Sequence, residues 1–385
     1  MISSRVEQLS SSATLKITAL TKRLKKEGKD VVNFAAGEPD FDTPLFIKEK
    51  AKKAIDDGFT KYTPSAGTNE LREAIARKLK EENGIACESS SIIITSGAKY
   101  AIYAAMAAFL NPKEEALIPS PYWVSYPAMA IICGAKPKII KTKERDGFKL
   151  TAQTLSKAIS KKTKLLILNY PSNPTGATYS NEELKEIYEV IKDKNIIVLC
   201  DEIYEALTYD GKKHTSFASI GDAAKFTVTV NGFSKTFSMT GWRIGYLCAD
   251  KNFAGAISKL IDHTTSCASS ISQAAALAAI NDKTWPSQML AKFEERRNLL
   301  WEGLKGLRKI KPLLPQGTFY MLCDIKKSGL ASMDFSSQLL DKYLVSTIPA
   351  DSFGAEGFVR LSFATSDEDI NKGIARIKSF LEALK

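Results

Sequence analysis

Residues 164–176 read KLLILNYPSNPTG, a short unbroken apolar run followed by a loop with two prolines and a closing glycine. The run KLLILN (164–169) shows no polar alternation, which predicts a strand covered on both faces. Pro171, Pro174 and Gly176 then stiffen the loop. Asn173 is held between the prolines, as suits an amide that must point at one target. The same grammar repeats outward: SIIIT (91–95), EALIPS (115–120), KPKIIK (136–141), NIIVLC (195–200), KFTVTV (225–230) and IGYLCA (244–249). Helical patterns at 97–110, 180–194 and 251–262 lie between them. Strands that alternate with helices predict an α/β fold, with a mostly parallel seven-stranded sheet between helices.

The last third changes character. A helix over 286–309 precedes GTFYMLCDI, a helix near 333–344, GFVRLSFA and a terminal helix over 366–384. This predicts a smaller α+β domain. The expected division is an N-terminal arm with part of the small domain (1–45, with a helix over 13–28), a large domain (46–284) and a small C-terminal domain (285–385). A chain of 385 residues is long enough to split its core in this way.

Composition narrows the function. The chain is 44% hydrophobic and 25% charged, an ordinary globular balance. No apolar run approaches the roughly 18 residues that span a membrane, and the N-terminus lacks the apolar core of a secretion signal. The net charge of +11 comes from short basic runs mixed with acids, without a zinc-finger spacing or a basic stripe interleaved with aromatics, so no nucleic-acid partner is expected. Six scattered cysteines without a CxxC pair fit free thiols in a cytoplasmic protein. Two histidines, His214 and His263, are too few for a histidine-built metal site, and no metal is expected.

In a parallel α/β sheet, ligands bind beyond the carboxyl ends of the strands. Ser96, Gly97 and Ala98 follow SIIIT and open a helix, which makes a phosphate cradle. Asn173 follows KLLILN. Asp201 and Tyr204 follow NIIVLC, and an acid at the end of a buried strand is costly unless paired. Ser234, Lys235 and Arg243 follow KFTVTV. A phosphate cradle, a fixed amide, a buried acid, a phenol, a lysine and an arginine at one sheet edge suit pyridoxal phosphate. The lysine amine condenses with its aldehyde, the acid keeps the pyridine nitrogen protonated, and the guanidinium takes the phosphate. The dinucleotide motif GxGxxG and the nucleotide motif GxxxxGK[ST] are both absent.

Seven stretches carry a resemblance: GEPDFDTP (37–44), YTPSAGTNELREA (62–74), SPYWVSYP (120–127), SNPTG (172–176), DEIYE (201–205), NGFSKTFSMTGWRIGY (231–246) and VRLSFATS (359–366). Together they resemble fold-type I pyridoxal-phosphate aminotransferases, and among these the bacterial and plant Ib subgroup of aspartate aminotransferases. The resemblance implies that Lys235 is the Schiff-base lysine and then the proton shuttle. It implies that Arg243 and the cradle bind phosphate, Asp201 meets the pyridine nitrogen, Tyr204 and Asn173 meet the ring's 3-oxygen, and Trp123 stacks on the ring. Tyr62 would reach the phosphate of a neighbouring subunit, which implies a homodimer with shared active sites. Gly37 and Arg360 would hold the substrate α-carboxylate, and Phe319 would line the substrate site. Lys99, with Ser12 and Thr14, would take a second carboxylate, so the amino-acid and 2-oxo-acid substrates favoured are aspartate and 2-oxoglutarate. Relatives that also accept prephenate carry Lys-Pro-Ser where this chain has Ser10-Ser11-Ser12. A bifunctional aspartate/glutamate–prephenate aminotransferase, or a broader aromatic or kynurenine aminotransferase, is the alternative. Gly232 departs from the pattern, since many members have serine there.

Overall fold

The computed structural model describes residues 2–9 and 13–384, the side chains of 13–16 excepted. Its main sheet has seven strands: β1 (Ile92–Thr95), β2 (Glu115–Ser120), β3 (Lys136–Lys141), β4 (Thr163–Asn169), β5 (Ile197–Asp201), β6 (Thr227–Gly232) and β7 (Gly245–Cys248). They lie in the order β1-β7-β6-β5-β4-β2-β3. β7 runs antiparallel to both β1 and β6, and the remaining neighbours pair in parallel. The carboxyl ends of β1, β4, β5 and β6 therefore share one edge with the start of β7.

The unbroken apolar runs have a direct cause. Leu165, Ile167, Leu199 and Val228 face a layer that includes Ile102 and Met106 of helix Ala98–Phe109 and Ile257 and Ile261 of helix Lys251–Asp262. Leu166, Leu168, Val198 and Cys200 face the opposite layer, with Leu184, Ile187 and Ile191 of helix Asn181–Ile191. Each strand is apolar on both sides because each side meets a helix. Helix Asn181–Ile191 starts on a capping box: Ser180 Oγ accepts from the Glu183 N–H at 3.2 Å, and Glu183 Oε2 accepts from the Ser180 N–H at 2.8 Å.

A second sheet joins β8 (Lys311–Pro312), β9 (Tyr320–Asp324), β10 (Ile348–Pro349) and β11 (Phe358–Ser362) in the order β10-β11-β9-β8, all antiparallel. Phe293 and Leu300 of helix Thr284–Leu304, Phe335 and Leu339 of Ser332–Tyr343, and Ile377 and Phe380 of Asp367–Ala383 share one core. Val32–Asn33 pairs in parallel with Val345–Ser346, which ties the N-terminal segment to the C-terminal one. The helix expected over 286–309 spans Thr284–Leu304, and the strand expected over 195–200 ends one residue later, so Asp201 belongs to β5 itself. Among the described residues no helix is long and apolar enough to cross a membrane.

Candidate active site

The cradle forms where β1 runs into helix Ala98–Phe109. Gly97 has φ +83°, and a Cβ there would lie 2.6 Å from Arg243 Nη2. The guanidinium thus lies against bare backbone beside first-turn N–H groups that have no acceptor within the helix. Gly245 keeps the same approach open, since its Cβ would lie 2.5 Å from Ala98 N. Arg243 adopts φ 50° and donates through Nη1 to the Thr240 carbonyl at 2.8 Å. Ser96 is half-buried beside Gly97, at a concentration of positive charge and unpaired donors suited to a dianion.

Asp201 ends β5 and is 4% exposed. Its Oδ2 accepts from the Tyr126 hydroxyl at 2.6 Å and its Oδ1 from the Ile203 N–H at 3.3 Å. Burial pushes this carboxyl up to about 6, against the pull of those two bonds. Asn169 Nδ2 donates to the Asp201 carbonyl at 3.0 Å, and Asn169 Oδ1 accepts from the Asn173 N–H at 3.0 Å. One amide therefore fixes both the strand end and the proline loop. Tyr204, also buried, shares a hydrogen bond with the Tyr320 hydroxyl at 3.1 Å, and burial holds its phenol well above the ordinary range.

Lys235 follows β6, with Ser234 buried before it. Its Nζ donates to the Gly37 carbonyl at 2.6 Å and lies 5.7 Å from the Phe319 ring centre and 6.0 Å from that of Tyr204. Burial, helped by Arg360 and Arg243, brings the amine down to about 8, while Glu38 and Asp201 oppose the shift. Arg360, on β11, is 2% exposed. It donates through Nη1 to Asn173 Oδ1 at 3.0 Å and through Nη2 to the Ala35 carbonyl at 3.4 Å. Its guanidinium lies 4.1 Å from the Tyr320 ring centre. The Arg360 Nε is buried without a hydrogen-bond partner, an unmet donor at the junction of the two sheets. Lys99 is exposed, with its Nζ 4.8 Å from the Trp123 ring centre. Partial desolvation by the surrounding protein, with Arg243 nearby, still lowers the proton affinity of its amine.

The chain matches the model of the family "Aminotransferase class I and II" over residues 29–377. It is 42% identical to the aspartate aminotransferase of Bacillus subtilis (strain 168) over 388 residues, 99% of each chain. It is also 42% identical to a probable aspartate/prephenate aminotransferase of Aquifex aeolicus (strain VF5), covering 100% of this chain and 99% of the relative. The chain belongs to the class I and II aminotransferases. Its fold superposes on the aspartate aminotransferase of Thermus thermophilus with maleate at a TM-score of 0.95, with 38% identity and coverage of 98% and 99% of the two chains.

In this aminotransferase, Lys235, Gly37, Phe319 and Tyr204 meet directly, as do Arg360 and Asn173, Arg243 and Gly97, and Lys99 and Trp123. Tyr62 is not joined to them: it is 90% exposed. Ser12 lies outside the described residues, and Thr14 is described only as backbone of helix Ala13–Lys26. Sequence reasoning missed Tyr126, Tyr320, Glu38 and Asn169. Tyr126 and Glu38 sit inside quoted motifs, three residues after Trp123 and one after Gly37. Gly232 also has a physical reason. It pairs with Gly245, and a Cβ on it would lie 2.9 Å from the Gly245 Cα, so a serine has no room without moving β7.

Proposed function

We propose that this aminotransferase moves the amino group of L-aspartate to 2-oxoglutarate, giving oxaloacetate and L-glutamate, with pyridoxal phosphate as its cofactor. The observation that carries the reading is Lys235: an amine brought down to about 8, held by Gly37 and neighboured by the buried acid Asp201 and the buried cation Arg360. The donor set fits the cofactor. The glycine-lined cradle with Arg243 suits the phosphate, Asp201 suits a ring N–H, and Tyr204 with the amide of Asn173 suits a ring oxygen. When bound, pyridoxal phosphate supplies an aldehyde that condenses with amines and a ring that accepts the electron pair left when a Cα–H bond breaks.

The chain's own residues do the rest. Lys235 Nζ provides the anchoring amine and, once displaced by substrate, takes the Cα proton and later returns it. It must be neutral to do so, and burial beside Arg360 and Arg243 favours that form. Asp201 stays ionised where a cation faces it, because an opposite charge reverses its upward shift. Arg360 grips the α-carboxylate in a planar fork, with Asn173 fixing its orientation. Trp123 covers the ring face. Lys99 supplies a second cation for the side-chain carboxylate of aspartate or 2-oxoglutarate, and Ser12 and Thr14 assist it. Two carboxylates need two cations, and the relatives are named for aspartate.

The same reading makes the protein a cytoplasmic homodimer, with an arm (1–45), a large domain (46–284) and a small domain (285–385). Exposed Tyr62 then meets the partner's phosphate, which accounts for a tyrosine standing in solvent within a motif.

Steady-state kinetics with aspartate and 2-oxoglutarate test the proposal. Parallel double-reciprocal lines are expected for the ping-pong exchange. Lys99→Ala removes one charge-assisted contact, and we expect kcat/KM for aspartate to fall about 10- to 100-fold, with phenylalanine changed less than about threefold. If the variant turns over aspartate normally, and aromatic substrates or prephenate dominate in the parent, the substrate assignment is wrong.

A further inference from the structure

Tyr320 joins the two halves of the site. It opens β9, pairs with Ser362 of β11 and is 1% exposed. Leu322 pairs with Arg360 in the same register, so Tyr320 and Arg360 are diagonal neighbours on one face of the small sheet. The Tyr320 ring centre lies 4.1 Å from the Arg360 guanidinium, and the Phe353 ring centre lies 5.2 Å from it. The far end of the Tyr320 side chain reaches the other half. Its hydroxyl lies 3.1 Å from that of Tyr204, on the turn after β5 of the main sheet, and the two rings meet edge-on with centres 5.8 Å apart. A Cβ on Gly37, whose carbonyl accepts from Lys235, would lie 3.8 Å from the same Tyr320 hydroxyl. Burial raises the Tyr320 phenol above its ordinary range, with Arg360 opposing, so the hydroxyl keeps its proton.

We propose that Tyr320 is a positioning residue that couples the two grips of the site: its hydroxyl donates to Tyr204, and its ring supports Arg360. The inference rests on the proposed function, in which Tyr204 meets the cofactor's ring oxygen and Arg360 the substrate α-carboxylate. A hydroxyl has one hydrogen to give, and within this pair either oxygen can be the donor. Once Tyr204 gives its hydrogen to a ring oxygen, only Tyr320 can donate between the two. Donation to the Tyr204 oxygen polarises that phenol and makes it a stronger donor in turn. A stronger donor favours the unprotonated, anionic form of the ring oxygen. The ring of Tyr320 acts separately. Its face attracts the desolvated guanidinium and fixes the plane in which Arg360 meets a carboxylate.

Two variants of the full chain separate the two contacts. Tyr320→Phe removes the hydroxyl and keeps the ring; Tyr320→Leu removes both. Tyr320→Phe is also made in a Tyr204→Phe background. Each protein is loaded with pyridoxal phosphate, and the visible absorbance of the bound cofactor is read against pH, which reports the proton held beside its ring oxygen. The charged groups that act on Lys235, namely Glu38, Asp201, Arg243 and Arg360, are the same in every variant. Tyr320→Phe should raise the midpoint of this titration by about half a unit or more, with KM for aspartate changed less than about twofold. In the Tyr204→Phe background the same substitution should move the midpoint by less than about 0.2 units. Tyr320→Leu should show the same shift and raise KM for aspartate about tenfold. An unchanged midpoint in Tyr320→Phe overturns the proposal, whatever its melting temperature. So does an equal shift with and without the Tyr204 hydroxyl, or a Tyr320→Leu variant that keeps the parent KM. If the parent protein itself binds no pyridoxal phosphate, the underlying function fails instead, and that control tells the two failures apart.

Discussion

Replacing Asp201 with asparagine should stabilise the cofactor-free protein while disabling the enzyme. Burial raises this carboxyl from its usual 3.8 to about 6. At about 1.36 kcal/mol per unit, ionised Asp201 costs the cofactor-free fold about 3 kcal/mol. The sign follows from proton binding. The folded carboxyl holds its proton more tightly than the unfolded one, so stability is lost as pH rises from about 4 to about 6 and stays level above. Asparagine carries no charge at any of these values. It can accept from Tyr126 or from the Ile203 N–H but not both, which gives back about 1 kcal/mol. The net gain for Asp201→Asn is about 2 kcal/mol at pH 8, shrinks as pH falls, and turns into a loss of up to about 1 kcal/mol at and below about pH 4. On the proposed assignment the sign reverses with cofactor bound, because the carboxylate would then face a protonated ring nitrogen. Loss of that charge should lower kcat by about 10²-fold or more. Urea unfolding of the cofactor-free proteins at pH 8 and pH 4, with kcat of the loaded enzymes, measures both halves. A cofactor-free variant less stable than the parent at pH 8, or a loaded variant of near-normal activity, would refute the assignment of Asp201.

Two further expectations follow from single contacts. Gly232→Ser should destabilise the protein by about 1–3 kcal/mol, because the new Cβ meets the Gly245 Cα at 2.9 Å; denaturant titration gives the value, and a neutral result would mean that β7 shifts freely. Proton abstraction needs neutral Lys235, whose amine is brought down to about 8, so single-turnover rates with saturating aspartate should rise with pH through about 8 and then level off. A rate that falls over that range would show that Lys235 is not the base.

The sheet and its ligand edge were legible because burial on both faces leaves an unbroken apolar run, as in residues 164–169 with layers on either side. The polar residues that end those runs, Asn173, Asp201 and Lys235, stand out against that background. What surrounds them was not legible. Tyr126 reaches Asp201 only because the fold brings helix Ser125–Ile132, packed against β2 and β3, to the end of β5, and Tyr320 meets Tyr204 and Arg360 only because the second sheet docks there. The direction of β7 was equally silent, since the apolar run IGYLCA reads the same whether its strand is parallel or antiparallel. Gly232 looked like a missing hydroxyl in sequence; opposite Gly245 it is a steric requirement.

The most direct test of the central claim is a half-reaction. Purified protein loaded with pyridoxal phosphate is mixed with L-aspartate alone, and the spectrum of the cofactor and the oxaloacetate formed are followed together. The account predicts full conversion of the cofactor from its aldehyde to its amine form, one oxaloacetate per active site, and restoration of the aldehyde form by 2-oxoglutarate. Lys235→Ala should abolish conversion. A parent spectrum that aspartate leaves unchanged, or conversion that survives Lys235→Ala, would contradict it.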